Sequence, residues 1–290
     1  MTQWTIGVIG GSGLYEMDGL DQTETVTVDT PWGKPSDVLV KGQIGDVSFV
    51  FLPRHGRGHR LTPSTVPYRA NIDALKRMGC SDVLSISACG SLKEAYAPGD
   101  FVMVDQFIDR TFAREKSFFG TGMVAHVSMA DPVCPRLSAL AGDAAETAGA
   151  KVHRGGTYLT MEGPQFSSRA ESHLYRQWGC DVIGMTNAPE AKLAREAELP
   201  YATAAMVTDY DCWREEEEGV TVATVMEVMA GNTLKAQQML HHLATSLEGS
   251  VRTRSPLGIE TCLDTALITA PEARDPALLS KLDAVAGRVL

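Results

Sequence analysis

The chain has 290 residues, 44% of them hydrophobic and 21% charged, with a formal net charge of −10. That balance excludes a disordered or collagen-like chain, and the negative sign argues against a basic face for nucleic acid. It leaves room for one small anion, because a few local donors suffice to hold a phosphate.

Short β-rich runs alternate with helical stretches, the pattern of an α/β protein with helices on both faces of a sheet. Strands are expected at 5–9, 38–40, 47–52, 83–87, 101–104, 157–161, 181–185 and 202–207, and several are apolar throughout, as in strands buried on both faces. Tyr68, Ile72, Leu75 and Met78 recur at helical spacing, as do Leu137, Leu140, Ala144 and Ala148. Val222, Val225, Met226 and Met229 begin a long helix, with a break expected near Gly231-Asn232. Residues 276–290 form a final helical stretch that packs on the body or on a neighbour. The four glutamates at 215–218 read as a solvated loop or helix start. No linker or repeat divides the chain, so one domain over 1–290 is expected. No apolar run approaches the roughly 18 residues of a membrane span. Met1-Thr2-Gln3-Trp4 lacks the basic segment of a signal peptide. The six cysteines form no CxxC pair and the seven histidines no HExxH spacing, so reduced thiols, a cytoplasmic location and no metal are expected.

Five segments hold residues suited to chemistry. Gly10-Gly11-Ser12-Gly13 ends the first strand; it lacks the GxGxxG spacing of a dinucleotide fold and reads either as a tight turn or as an anion-binding loop. Pro53-Arg54-His55-Gly56-Arg57-Gly58-His59 follows an apolar strand. Arg54 is suited to a bidentate pair with phosphate and His55 to a second donor, unless the segment is a solvated basic loop. Ser85-Ile86-Ser87-Ala88-Cys89-Gly90-Ser91 has small residues that suit a crowded site, or simply pack well. In the segment from Met161 to Glu171, Phe166 fits a core position, the plainer reading, or a stacking surface for a flat ring. Asp209 and Asp211, beside Tyr210 and Trp213, fit a base edge or a loop start.

Taken in order, Ile9-Gly10-Gly11-Ser12-Gly13-Leu14, Arg54-His55-Gly56, Ala88-Cys89-Gly90-Ser91-Leu92, Pro98-Gly99-Asp100, the run 105–111, Glu162-Gly163-Pro164, the run 166–171 and Thr208-Asp209-Tyr210-Asp211-Cys212-Trp213 resemble the S-methyl-5′-thioadenosine phosphorylases, from the trimeric branch of the purine nucleoside phosphorylases. The resemblance runs from about residue 5 to 245 and leaves the tail unmatched. It implies a three-layer αβα sandwich around a mixed sheet, and phosphorolysis of S-methyl-5′-thioadenosine to adenine and 5-methylthioribose 1-phosphate in methionine and purine salvage. Phosphate would be a co-substrate, with no cofactor and no metal.

By position, the resemblance puts phosphate on Ser12, Arg54, His55, Ser87, the Ala88 amide and Thr186. Serine stands at 12 and 87 where the family often has threonine, which keeps the hydroxyl. Met185 would lie under the ribose, Phe166 would face the base, and Asp209 and Asp211 would read the purine edge. Ser167 and Val222 match positions that shape selectivity, and His126 one that reaches a neighbouring subunit's pocket, implying a homotrimer. A protonated Asp209, its pKa raised by burial and by Asp211, would assist departure of the base at N7. The runner-up activity is that of a 6-oxopurine nucleoside phosphorylase acting on inosine or methylthioinosine.

Overall fold

The computed structural model describes residues 4–214 and 222–290; the side chains of Ser12 and of residues 222–224 are outside it, as are the glutamates at 215–218. In chain order, β1 (Thr5–Gly10) is followed by β2 (Asp21–Val26), β3 (Leu39–Ile44) and β4 (Val47–Pro53). Then come α1 (Tyr68–Arg77), β5 (Asp82–Ser91), β6 (Phe101–Met103) and β7 (Gln106–Asp109). The middle of the chain holds α2 (Pro135–Thr147), β8 (Val152–Arg154), β9 (Thr157–Thr160), α3 (Arg169–Gln177) and β10 (Val182–Gly184). Finally α4 (Asn187–Glu196), β11 (Tyr201–Asp209) and α5 (Val222–Leu247) precede two short helices, α6 (Pro276–Lys281) and α7 (Asp283–Ala286).

All eleven strands join one mixed sheet. Its central strands have near-continuous burial, β5 and β11 most of all, because helices cover both faces. One face packs Phe49, Phe101 and Met206 against Leu137 and Ala141 of α2 and Leu240 and Leu243 of α5. The other packs Val50, Leu52 and Tyr201 against Ile72 and Leu75 of α1, Leu193 of α4, and Leu282 and Val285 of the tail. The architecture is the expected αβα sandwich.

The expected break at Gly231-Asn232 is absent, since α5 runs unbroken from 222 to 247. Asn232 is buried and its amide donates to the Val207 carbonyl at 3.0 Å, so the side chain that would compete with the helix backbone is engaged by β11 instead. The tail beyond 249 packs on the body. Arg252 bridges Asp82 and Glu260, Arg288 bridges Glu198 and Asp264, and Arg77 reaches Asp283. All six cysteines are free. Among the described residues no helix is long and apolar enough to cross a membrane.

Candidate active site

Strand β5 organises the site because its two edges are used differently. Along one edge β11 runs parallel, from Tyr201 opposite Val83 to Asp209 opposite Gly90. The other edge is shared. β1 pairs parallel as far as Ile9 opposite Ser85, and β10 pairs antiparallel at Ile183 opposite Gly90 and Val182 opposite Ser91. On that edge, among the described residues, no strand pairs with Ile86, Ser87, Ala88 and Cys89. β1 and β10 point their C-terminal ends into this gap from opposite directions, bringing Gly10-Gly11-Ser12 from one side and Met185-Thr186 from the other. β4, parallel to β1, brings Arg54 and His55. Open α/β sheets take ligands in such crevices at the carboxyl ends of strands.

Arg54 is buried, and its guanidinium is nearly spent on protein. Nε donates to Glu190 at 2.5 Å; Nη2 donates to Glu190, Ser85 and the Ile9 carbonyl; Nη1 donates to the Ile86 carbonyl at 3.2 Å. Glu190 also accepts from the Ser85 and Tyr201 hydroxyls. The bidentate edge expected to take phosphate is therefore occupied by a carboxylate, which leaves one Nη1 hydrogen for an anion. Glu190 sits in the first turn of α4, just past Thr186, so the pair ties three site-bearing elements, β4, β5 and α4, into one register. Thr186 is buried at the start of that helix, whose positive end suits an anion.

His55 also departs from its expected role as a donor. Its Nδ1 lies 2.8 Å from the Leu61 carbonyl, which can only accept, so the hydrogen sits on Nδ1 and neutral Nε2 is an acceptor. Burial, reinforced by Arg54, pushes the ring's pKa down to about 4 and keeps it neutral. Ser87 is buried, and its hydroxyl has no hydrogen-bond partner among the described residues. Ala88 follows, half-buried.

At the other end of the gap β11 bulges between Val207 and Asp209, which turns the Asp209 carboxylate over Gly90. A Cβ on Gly90 would stand 2.9 Å from Asp209 Oδ1, so glycine is required there for the approach. Asp209 accepts from the Asp211 amide at 2.8 Å and from the Thr208 hydroxyl at 2.7 Å. Asp211 adopts a left-handed backbone conformation, φ 52°, and its buried Oδ2 has no hydrogen-bond partner among the described residues. Burial first, with the neighbouring Asp209 charge adding to it, pushes the Asp211 carboxyl up to about 6 against the pull of the Ser172 and Ser167 hydroxyls.

Between the two ends lie Met185 and Phe166. The Met185 sulfur stands 2.5 Å from where a Cβ on Gly163 would be, and Gly163 has φ 67°, so Glu162-Gly163-Pro164 closes over the methionine only as glycine. Phe166 is 46% exposed, which sets aside the core reading. It precedes Ser167, buried, and Ser168, which caps α3 in a reciprocal box with Glu171. His126 is exposed; its amide donates to the Ala266 carbonyl of the tail at 2.9 Å, on a stretch bridged at Ala125 and Leu267.

Sequence reasoning missed Glu190 and Arg114. The Arg114 side chain is buried, donating to the carbonyls of Met161, Glu162 and Met185 and to the Tyr68 hydroxyl, and so fixes the strand ends that carry Met185 and Phe166. A charge near apolar or small residues was the only local hint, and its partners lie 46 to 71 positions away. Among the described residues no cluster of His, Cys, Asp or Glu could hold a metal ion.

The match to known proteins covers the whole of this site. Residues 5–245 fit the phosphorylase superfamily model. The S-methyl-5′-thioadenosine phosphorylase of Cereibacter sphaeroides is 60% identical over 98% of both chains, and that of Bradyrhizobium diazoefficiens 57% identical over 100% of this chain and 99% of its own. Among solved structures, a methylthioadenosine phosphorylase from an antarctic soil metagenomic library superposes with a TM-score of 0.91 at 48% identity, covering 98% of this chain and 99% of that one. The Schistosoma mansoni methylthioadenosine phosphorylase in complex with adenine gives 0.85 at 38% identity over 91% of this chain and 99% of that one. The chain belongs to the phosphorylase superfamily and, within it, to the S-methyl-5′-thioadenosine phosphorylases.

Proposed function

We propose that this protein cleaves S-methyl-5′-thioadenosine reversibly with phosphate, giving adenine and 5-methylthioribose 1-phosphate for methionine and purine salvage. The observation that carries the reading is the arrangement along one strand: Arg54 reaches the backbone beside Ser87, whose buried hydroxyl has no hydrogen-bond partner among the described residues, and the Asp209 carboxyl closes over Gly90. Three residues of extended strand span about 10 Å, a length over which one nucleoside reaches from attacking phosphate to base edge.

In this reading phosphate is held by Ser12, Ser87, the Ala88 amide, Thr186 and the free Nη1 hydrogen of Arg54. His55, neutral, accepts from a protonated phosphate oxygen through Nε2. Met185 lies under the sugar and Phe166 covers the base. Loss of the purine leaves positive charge on the ribose, which the phosphate below it stabilises and then attacks. A protonated carboxyl of the Asp209 and Asp211 pair gives its proton to N7, general acid help typically worth ~10²–10⁴-fold. Ser167 and Val222 tune the fit, and no organic cofactor or metal takes part.

The carboxyl pair at the base edge and the names of the relatives favour a 6-aminopurine over the 6-oxopurine alternative. The exposed His126 stretch suits a contact with a second copy, and we take the assembly to be a homotrimer of one-domain chains in the cytoplasm; light scattering that finds an active monomer would contradict this. The activity is tested by adenine release from S-methyl-5′-thioadenosine with and without phosphate, against methylthioinosine and inosine. Phosphate-independent release, or a preference for the inosine compounds, would overturn the assignment.

A further inference from the structure

Tyr158 is out of place as a packing residue. It is fully buried on β9 among Cys89, Val102, Val104, Val182, Ala205 and Val207, with the Phe107 ring edge-on to it. Its hydroxyl has no hydrogen-bond partner among the described residues. An orphaned buried hydroxyl costs about 1–3 kcal/mol, so phenylalanine would serve this pocket better if packing were all. The fold nevertheless makes room for the oxygen: a Cβ on Gly184 would lie 1.7 Å from it, so the phenol passes across the backbone of β10 only because residue 184 is glycine.

What lies beyond Gly184 is the open edge of β5. Side chains alternate along a strand, so Ser87 shares a face with Cys89, which packs with Tyr158. The Ser87 hydroxyl neighbours the phenol, is itself buried, and makes no hydrogen bond within ordinary bonding geometry among the described residues. Two orphaned hydroxyls thus face each other at the proposed phosphate position. We propose that Tyr158 is a positioning residue whose phenol donates to Ser87 and thereby turns the serine's own hydrogen toward phosphate. The direction follows from the surroundings. Apolar side chains pack around the ring, and the Ser87 hydroxyl is the side-chain acceptor beside the phenol. If the serine donated to the phenol, it would present lone pairs to an anion. Burial raises the phenol's pKa above its usual value, so it remains a donor. A hydroxyl that accepts one bond donates a stronger second one.

This inference rests on the proposed phosphate site, and the test separates the two. Tyr158→Phe removes one oxygen. The phosphate KM is expected to rise about five- to tenfold, with the KM for S-methyl-5′-thioadenosine little changed and the melting temperature unchanged or higher. Ser87→Ala should raise the phosphate KM at least as much, and adding Tyr158→Phe to it should change nothing further. Tyr158→Met is the second variant should Tyr158→Phe fold poorly. A phosphate KM unaffected in both Tyr158 variants but raised in Ser87→Ala would overturn the role of Tyr158 alone. A phosphate KM unaffected in Ser87→Ala would overturn the phosphate site and this inference with it. Additive effects in the double variant would also overturn the relay.

Discussion

The two ends of the candidate site are built on opposite electrostatic principles. Around Arg54 every charge is matched: Glu190 answers the guanidinium, and Ser85 and Tyr201 fill the carboxylate's remaining capacity. Around Asp211 the account is left open, with one carboxyl oxygen buried and unbonded among the described residues, a left-handed backbone, and a pKa held up to about 6. The first end is rigid and keeps its protonation state. The second is poised to give a proton up. A closed network suits holding a co-substrate of fixed shape, whereas an acid that is costly to ionise suits chemistry at a departing base.

Removing a charge should therefore hurt most at the matched end. Arg54→Ala leaves Glu190 buried and unpaired, a loss of about 3–5 kcal/mol of stability, together with a strong rise in the phosphate KM. Pairing Arg54→Met with Glu190→Gln should restore much of the melting temperature but not phosphate saturation. If the double change restores both, Arg54 is a structural residue only. At the open end the effect on stability has the opposite sign. An acid raised from its ordinary 3.8 to about 6 costs nothing below the lower value, and stability is lost as pH rises through that window. The loss is roughly two pKa units, or about 3 kcal/mol. Asp211→Asn should flatten the denaturation midpoint of the ligand-free protein between pH 4 and 7; a slope equal to the parent's would show that Asp211 is not the acid held protonated. Smaller again is the readout of the base. Asp209→Asn should move the ratio of kcat/KM for S-methyl-5′-thioadenosine over methylthioinosine toward the oxo compound by ten- to a hundredfold, the scale of ~1–3 kcal/mol for mismatched buried polar groups. No movement would relieve Asp209 of the discriminating role. Least of all, Arg154→Ala, far from either end, should lower stability by about 1 kcal/mol or less, because the arginine and its partners Asp143 and Glu146 are all exposed, and leave both KM values alone.

What the sequence made legible follows from what is local. Apolar runs announced β1, β4, β5 and β11, and the glycine-bearing segments beside them marked the strand ends that meet at Ser87. β2 escaped because its residues, Asp21 to Val26, are almost all exposed at a sheet edge and carry no apolar alternation. β7 and β8 escaped because four and three residues, several of them polar, leave no period to read. The pairing of Arg54 with Glu190 crosses 136 residues, and the orphaned Tyr158 looks like any aromatic in a strand. Neither has a pattern in one dimension. Phe166 and the tautomer of His55 depend on exposure and on one carbonyl, Leu61, six residues on. Such details exist only once the chain has closed.

The Arg54–Glu190 pair also decides how a phosphate finds its way in. A lone buried arginine would project attraction outward, but the pair is neutral as a unit, on a chain with a formal net charge of −10. At low ionic strength, where screening is weak, an incoming dianion meets net repulsion rather than guidance, and at physiological salt that field dies away within about 8 Å. Recognition is then entirely a matter of short-range donors, and entry is unsteered. Added salt should quicken phosphate capture, the reverse of what a basic funnel would give.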